Sequence, residues 1–160
     1  AELFSAFVYN KIANDTIPLS PPEDIDIFSL LSDVDLEDVV GIYIQQKRGL
    51  IFIPSSRSRQ NNTISHEYQL VDPQNGKPVF VQVKSGNTVL DPSSYYKFPH
   101  KFYLFSPAGY ARASEQGHVI CLNRSDIENF LESARNFIPL NISAWLDLRD
   151  VLKGTGKIKG

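Results

Sequence analysis

Glu67, Gln82 and Lys84 carry the side chains in this chain whose types and spacing invite chemistry. They lie in the stretch Ser65 to Gly86, SHEYQLVDPQNGKPVFVQVKSG, where two runs rich in Val, Tyr, Phe and Leu flank Asp72-Pro73-Gln74-Asn75-Gly76. Asn-Gly between apolar runs is a strong hairpin signal. With Asn75-Gly76 as a two-residue turn, Gln74 pairs with Lys77, Val71 with Phe80, Gln69 with Gln82, and Glu67 with Lys84. Side chains alternate along a strand, so Glu67, Gln69, Gln82 and Lys84 share one face, and Tyr68, Leu70, Val79, Val81 and Val83 line the other. A four-residue loop, Pro73 to Gly76, keeps both faces and sets Glu67 opposite Gln82, whereas a three-residue loop would separate the group. A carboxylate, a carboxamide and an ammonium thus converge. Taken from the hairpin alone, the group is either a cross-strand Glu67–Lys84 ion pair, worth at most ~1 kcal/mol, or a functional site.

The second strand of the hairpin, Val79 to Val83, is nearly continuous in apolar residues, as in a central strand covered on both sides. A lysine at its end is unusual, because ammonium groups are seldom buried without a partner. Glu67, then Gln82-Val83-Lys84 on the next strand followed by Ser85-Gly86, resembles the PD-(D/E)XK, or restriction-endonuclease-like, nuclease superfamily. More narrowly it resembles the branch with Q-x-K in place of E-x-K, common in uncharacterised bacterial defence-type domains. The similar segment covers about 20 residues. Here Glu67 follows His66 where the family has Pro-Asp, and Gln82 is neutral.

That resemblance implies a metal-dependent phosphodiesterase with an acid on the second core strand and the Q-x-K on the third. It makes Glu67, Gln82 and Lys84 the catalytic residues. Glu67 and the amide oxygen of Gln82 would be the metal ligands, for Mg²⁺ or Mn²⁺. Lys84 would hold or polarise the attacking water and stabilise the pentavalent transition state. Arg57, Arg59 and Ser85 would contact the substrate, the two arginines from the polar loop Ser55 to Thr63 that enters the Glu67 strand. In some members of the family an acid on the first helix supports the metal, for which Glu2 is the candidate; an acid in a first turn is more often just favourable to the helix dipole.

The composition fits such a domain. The 160 residues, 42% hydrophobic and 21% charged, suit one folded domain with an ordinary core. The sequence has no apolar run of membrane-helix length, and its single cysteine, Cys121, excludes an internal disulfide and a multi-cysteine zinc site. The expected location is cytoplasmic and the expected state of Cys121 a small buried hydrophobe. The chain has no methionine and starts at Ala1, and its Lys153–Gly160 tail reads as linker, so a fragment of a longer protein is expected. Net charge is −2, yet residues 1–40 carry nine acids and one base while residues 41–112 carry nine bases and three acids. The basic part holds the hairpin and suits nucleic acid, DNA before RNA.

Along the chain, Glu2 to Ala13 reads as an amphipathic helix and Ser20-Pro21-Pro22-Glu23 as a helix start. Asp33, Asp35, Glu37 and Asp38 read as an acidic connection, followed by a hairpin of Val39 to Gln45 with Leu50 to Ile53. Asp91-Pro92 predicts a turn and short helix, and Lys101 to Phe105 and Val119 to Leu122 predict strands. The aromatic residues from Tyr95 to Tyr110 are expected in the core, with stacking on single-stranded bases as the other reading. Ser125 and Glu128 predict a capping box opening a helix that runs to Ile138, and Asn141 to Leu152 a last helix burying Trp145.

Together these elements predict an α/β (α+β) domain, a mixed central sheet of about five strands flanked by helices, with a restriction-endonuclease-like core. It spans residues 1–152, with a helical acidic part to 38, a sheet core over 39–122, C-terminal helices over 123–152 and a flexible basic tail over 153–160. The implied function is metal-dependent hydrolysis of DNA or RNA. The alternatives are a catalytically degenerate module that binds nucleic acid or docks a protein, and an interaction domain that uses its acidic N-terminal segment.

Overall fold

A computed structural model of the chain describes residues 26–54 and 67–155. The helices expected over Glu2 to Ala13 and from Ser20, the loop Ser55 to Thr63 and residues 156–160 lie outside the described residues. In chain order the elements are α1 (Ile27–Leu30), α2 (Asp33–Arg48), β1 (Ile51–Phe52), β2 (Tyr68–Val71), β3 (Pro78–Val83), a 3-10 helix (Pro92–Tyr95), β4 (Lys101–Phe105), β5 (Val119–Cys121), α3 (Arg124–Ser133) and α4 (Leu140–Thr155). These elements fall into two compact units, one within Ser32–Ala134 and the other containing α1 and α4.

The unit Ser32–Ala134 contains a five-stranded sheet in the order β1-β2-β3-β4-β5. β1, β2 and β3 pair antiparallel, and β3, β4 and β5 pair parallel. The fold is therefore α/β with a mixed sheet and flanking helices. The β2–β3 register sets Val71 against Pro78, Leu70 against Val79 and Gln69 against Phe80, which is the four-residue loop and not the two-residue turn. Local hydrogen bonds explain the choice. The Asp72 carboxylate accepts from the Gln74 N–H and the Asn75 side-chain amide, its carbonyl accepts from Gly76 at 2.7 Å, and the Asn75 carboxamide accepts from the Lys77 N–H at 2.8 Å. Asp and Asn side chains replace backbone pairing here, and Gly76 at φ 67° takes the left-handed position.

The acidic connection and the strand expected at Val39 to Gln45 are instead one helix, α2. Ser32 and Asp35 form a reciprocal capping box, with Asp33 and Asp35 favourable in the first turn and Lys47 and Arg48 in the last. Leu36, Val39, Val40, Tyr43 and Ile44 recur at helical spacing and are buried, and Gly49 at φ 64° ends the helix. Replacing Ser32 with alanine is expected to lower the stability of this unit by about 1 kcal/mol, read from the urea midpoint, because the Asp35 N–H loses the Ser32 hydroxyl as its partner. The capping box expected at Ser125 is also corrected: α3 starts at Arg124 with Asn123 as its cap and ends at Ser133, short of Ile138.

α2 meets the sheet on the face of Tyr68, Leu70, Val79, Val81 and Val83, all nearly inaccessible to solvent. The Tyr68 hydroxyl donates to the Glu37 carbonyl at 3.0 Å, and its ring lies so near Gly41 that a β-carbon there would come within 3.1 Å of the phenol oxygen. The opposite face carries Phe80, Phe102, Leu104 and Val119 with Leu90 and Tyr95 over them, and Tyr96, Phe98, Tyr110 and Cys121 packed at the margin. Phe98 contacts Phe80 edge-on at 4.8 Å and Phe102 at 5.4 Å. The aromatic segment is thus core, as expected, and Cys121 is half-buried with its thiol pushed up by burial.

In the other unit, α1 and α4 are in contact, and Ile27, Phe28, Leu30, Ile142, Trp145 and Leu146 are buried. α4 reaches Thr155, so the first residues of the expected tail are helical. Arg135 bridges to Asp147 at 3.2 Å and to Asp150 at 2.7 Å. Burial, the largest single influence on Asp150, works to raise its pKa, but hydrogen bonds from Arg135 and Arg149 outweigh it and hold the carboxyl below its ordinary value. A depressed folded pKa contributes stability that is present above the unfolded value of about 3.9 and lost as pH falls through the folded one. Asp150→Asn is therefore expected to be less stable than wild type at neutral pH, with the difference shrinking as the pH falls below about 3.9, as thermal melts across that range would show.

Candidate functional site

Glu67 lies directly before β2, with its N–H donated to the Val81 carbonyl at 2.8 Å. Carried one residue past Tyr68 and Val81, the hairpin register sets Glu67 against Gln82. The Gln82 side chain is completely buried on the aromatic face of β3, beside Leu104 of β4. A buried carboxamide must find partners, and it donates Nε2 to Glu67 Oε1 at 2.6 Å and to the Val83 carbonyl at 3.3 Å. Lys84 follows β3 and anchors its backbone N–H on the Phe105 carbonyl at 2.9 Å, while its Nζ stands 3.6 Å from the same Glu67 oxygen. The expected convergence of Glu67, Gln82 and Lys84 is therefore present, and both charged side chains keep contact with solvent, at 25% and 40% exposure.

Two neighbours were not anticipated from the sequence. Ser85 donates its hydroxyl to the Asp33 carboxylate in the first turn of α2, which brings a second acid beside the Q-x-K turn. Asp33 had every mark of a solvated acid in a charged run, and only the capping box at Ser32 hints that it opens a helix. Tyr95, on the 3-10 helix, is the other neighbour: burial pushes its hydroxyl up, and the Glu67 charge pushes it the same way. The phenol stays protonated and able to donate. Arg57, Arg59 and Glu2 lie outside the described residues.

As a metal site the donors are all oxygen, the Glu67 carboxylate and the Gln82 amide oxygen, which is the chemistry of a hard divalent cation. Gln82 presents its nitrogen to Glu67, so holding a cation there requires a half-turn of the carboxamide. Among the described residues, no three or more His, Cys, Asp or Glu side chains gather to hold a metal. One carboxylate with an amide suits Mg²⁺, which binds through one or two carboxylates and completes its shell with water and substrate phosphate. No helix among the described residues is long and apolar enough to cross a membrane. Comparison with protein-family models, curated proteins and solved structures finds no match to this chain.

Proposed function

We propose that this chain is a metal-dependent nuclease domain of the restriction-endonuclease-like kind, hydrolysing phosphodiester bonds of DNA, or of RNA, within a larger cytoplasmic bacterial protein. The observation that carries this reading is Gln82. A fully buried carboxamide in the middle of a five-stranded sheet, aimed at one carboxylate with a lysine two residues on, costs stability that a leucine would not. Local rules are broken in this way mainly where function requires it. Glu67 and Gln82 would hold Mg²⁺ or Mn²⁺, which when bound supplies charge neutralisation and an activated water. Lys84, held by its backbone at the edge of the core, orients that water and stabilises charge on the phosphoryl oxygens. Arg57 and Arg59 would grip the flanking phosphates, while Ser85, already donating to Asp33, keeps its lone pairs for accepting contacts.

The test is cleavage of labelled plasmid, single-stranded DNA and RNA with Mn²⁺, Mg²⁺ or EDTA, with Glu67→Ala beside wild type. Metal-dependent cutting that the variant loses supports the reading. Cutting that is absent, or equal in the two proteins, overturns it. A second reading, a catalytically degenerate module that binds nucleic acid or docks a protein, is favoured by one observation: Glu67 already has both Gln82 and Lys84 as partners. Salt-dependent nucleic-acid binding without cleavage would select it.

A further inference from the structure

A cleft of about 450 Å³ lies within the Ser32–Ala134 unit, between the last turn of α2 and the outward stripe of α3. Its volume is in the range of small-ligand pockets, roughly 300–1,000 Å³. Tyr43 and Phe130 form the floor, packed edge-to-face at 5.4 Å and nearly inaccessible to solvent. One wall carries Lys47 and Arg48, and the other carries Asp126 and Asn129, one turn apart on α3. Ser133 continues that wall with the smallest side chain of the stripe, its hydroxyl folded back onto the Phe130 carbonyl at 3.0 Å.

The cleft gathers both signs of charge at its rim. Lys47, Arg48 and Asp126 line one cavity, yet none of the three makes an ion pair among the described residues. Beneath them lie the buried rings of Tyr43 and Phe130. Lysine and arginine at adjacent positions suit a phosphate, the arginine through its planar fork. A carboxylate and a carboxamide across the gap accept hydrogen bonds from an exocyclic amine or ring N–H. We infer that this cleft binds a mononucleotide, the phosphate on Lys47 and Arg48 and the base edge on Asp126 and Asn129. The inference is independent of the nuclease reading and uses none of its residues.

Isothermal titration of the intact chain with the four ribonucleoside monophosphates and with inorganic phosphate tests it. Expected are saturable binding of at least one nucleotide and a loss of about tenfold or more in the double variant Lys47→Gln/Arg48→Gln. Asp126→Asn should change the ranking of the bases, and Glu67→Ala should bind as wild type does. Urea midpoints equal to wild type would show that the variants are folded. Three results would each overturn the inference: no saturation, unchanged affinity in the double variant, or inorganic phosphate binding as tightly as any nucleotide.

Discussion

Lys84→Ala is expected to slow metal-dependent phosphodiester cleavage by about 10²–10³-fold while leaving the chain folded. The two halves of this expectation have separate causes. The Lys84 side chain is 40% exposed and its ion pair to Glu67 is 3.6 Å long, so its removal should cost stability no more than ~1 kcal/mol. The backbone that holds residue 84 does so through its N–H on Phe105, which alanine keeps. On the proposed nuclease reading, what the variant loses is a cation beside the phosphate, and a charge held in place at the edge of a dry core stabilises a transition state more than one in water does. Single-turnover rates with saturating Mn²⁺, set beside urea midpoints, separate the effects. A rate within about a factor of two of wild type would remove Lys84 from the chemistry.

Gln82→Glu should convert the face from one carboxylate beside an amide to paired carboxylates, and its cost should disappear when a cation binds. In the metal-free protein a second carboxylate would stand where Nε2 now lies 2.6 Å from Glu67 Oε1, at a position with no solvent exposure. Burial and the like charge both raise the pKa of the pair. A raised folded pKa gives stability that is fully present below the unfolded value, about 4.3, and is lost as pH rises through the folded value. The variant should therefore match wild type near pH 4 and fall below it by on the order of 2 kcal/mol at pH 7. Millimolar Mg²⁺ or Mn²⁺ should restore the lost stability, because binding to the folded state alone shifts the equilibrium by mass action. Thermal melts at both pH values with and without metal read this directly. If the ions stabilise the variant no more than wild type, this face is not where a cation binds.

The hairpin was legible because period-two alternation survives any even change in loop length. Moving from a two- to a four-residue loop shifted every partner of β2 and still left Glu67, Gln82 and Lys84 on one face. What selected the longer loop was the capacity of Asp72 and Asn75 to satisfy neighbouring backbone groups, a choice that the Asn-Gly signal alone conceals. α2 was harder to see. Val39-Val40-Gly41-Ile42-Tyr43-Ile44 has the β-branched and aromatic make-up of a strand, and local preference pointed there. Helical burial from Leu36 to Ile44 and the Ser32–Asp35 cap overrode it. The same error hid Asp33: its place beside Ser85 exists only once residues 33–48 are a helix laid against the sheet, which is a tertiary fact.

The position of β3 in the sheet also orders events in time. Its partner β2 is four loop residues away, so the hairpin, and with it the meeting of Glu67 with Gln82, needs little chain closure and can form on the microsecond scale. Its other partner, β4, pairs Gln82 with Leu104 across a long parallel crossover. Contacts so distant in sequence slow folding, since the closure entropy precedes their gain. The polar pair thus comes together while still wet and is sealed only when β4 and the aromatic segment arrive. Kinetically, Gln82 is an early member of the hairpin and a late member of the core, so the desolvation of its carboxamide falls on the slow, non-local step.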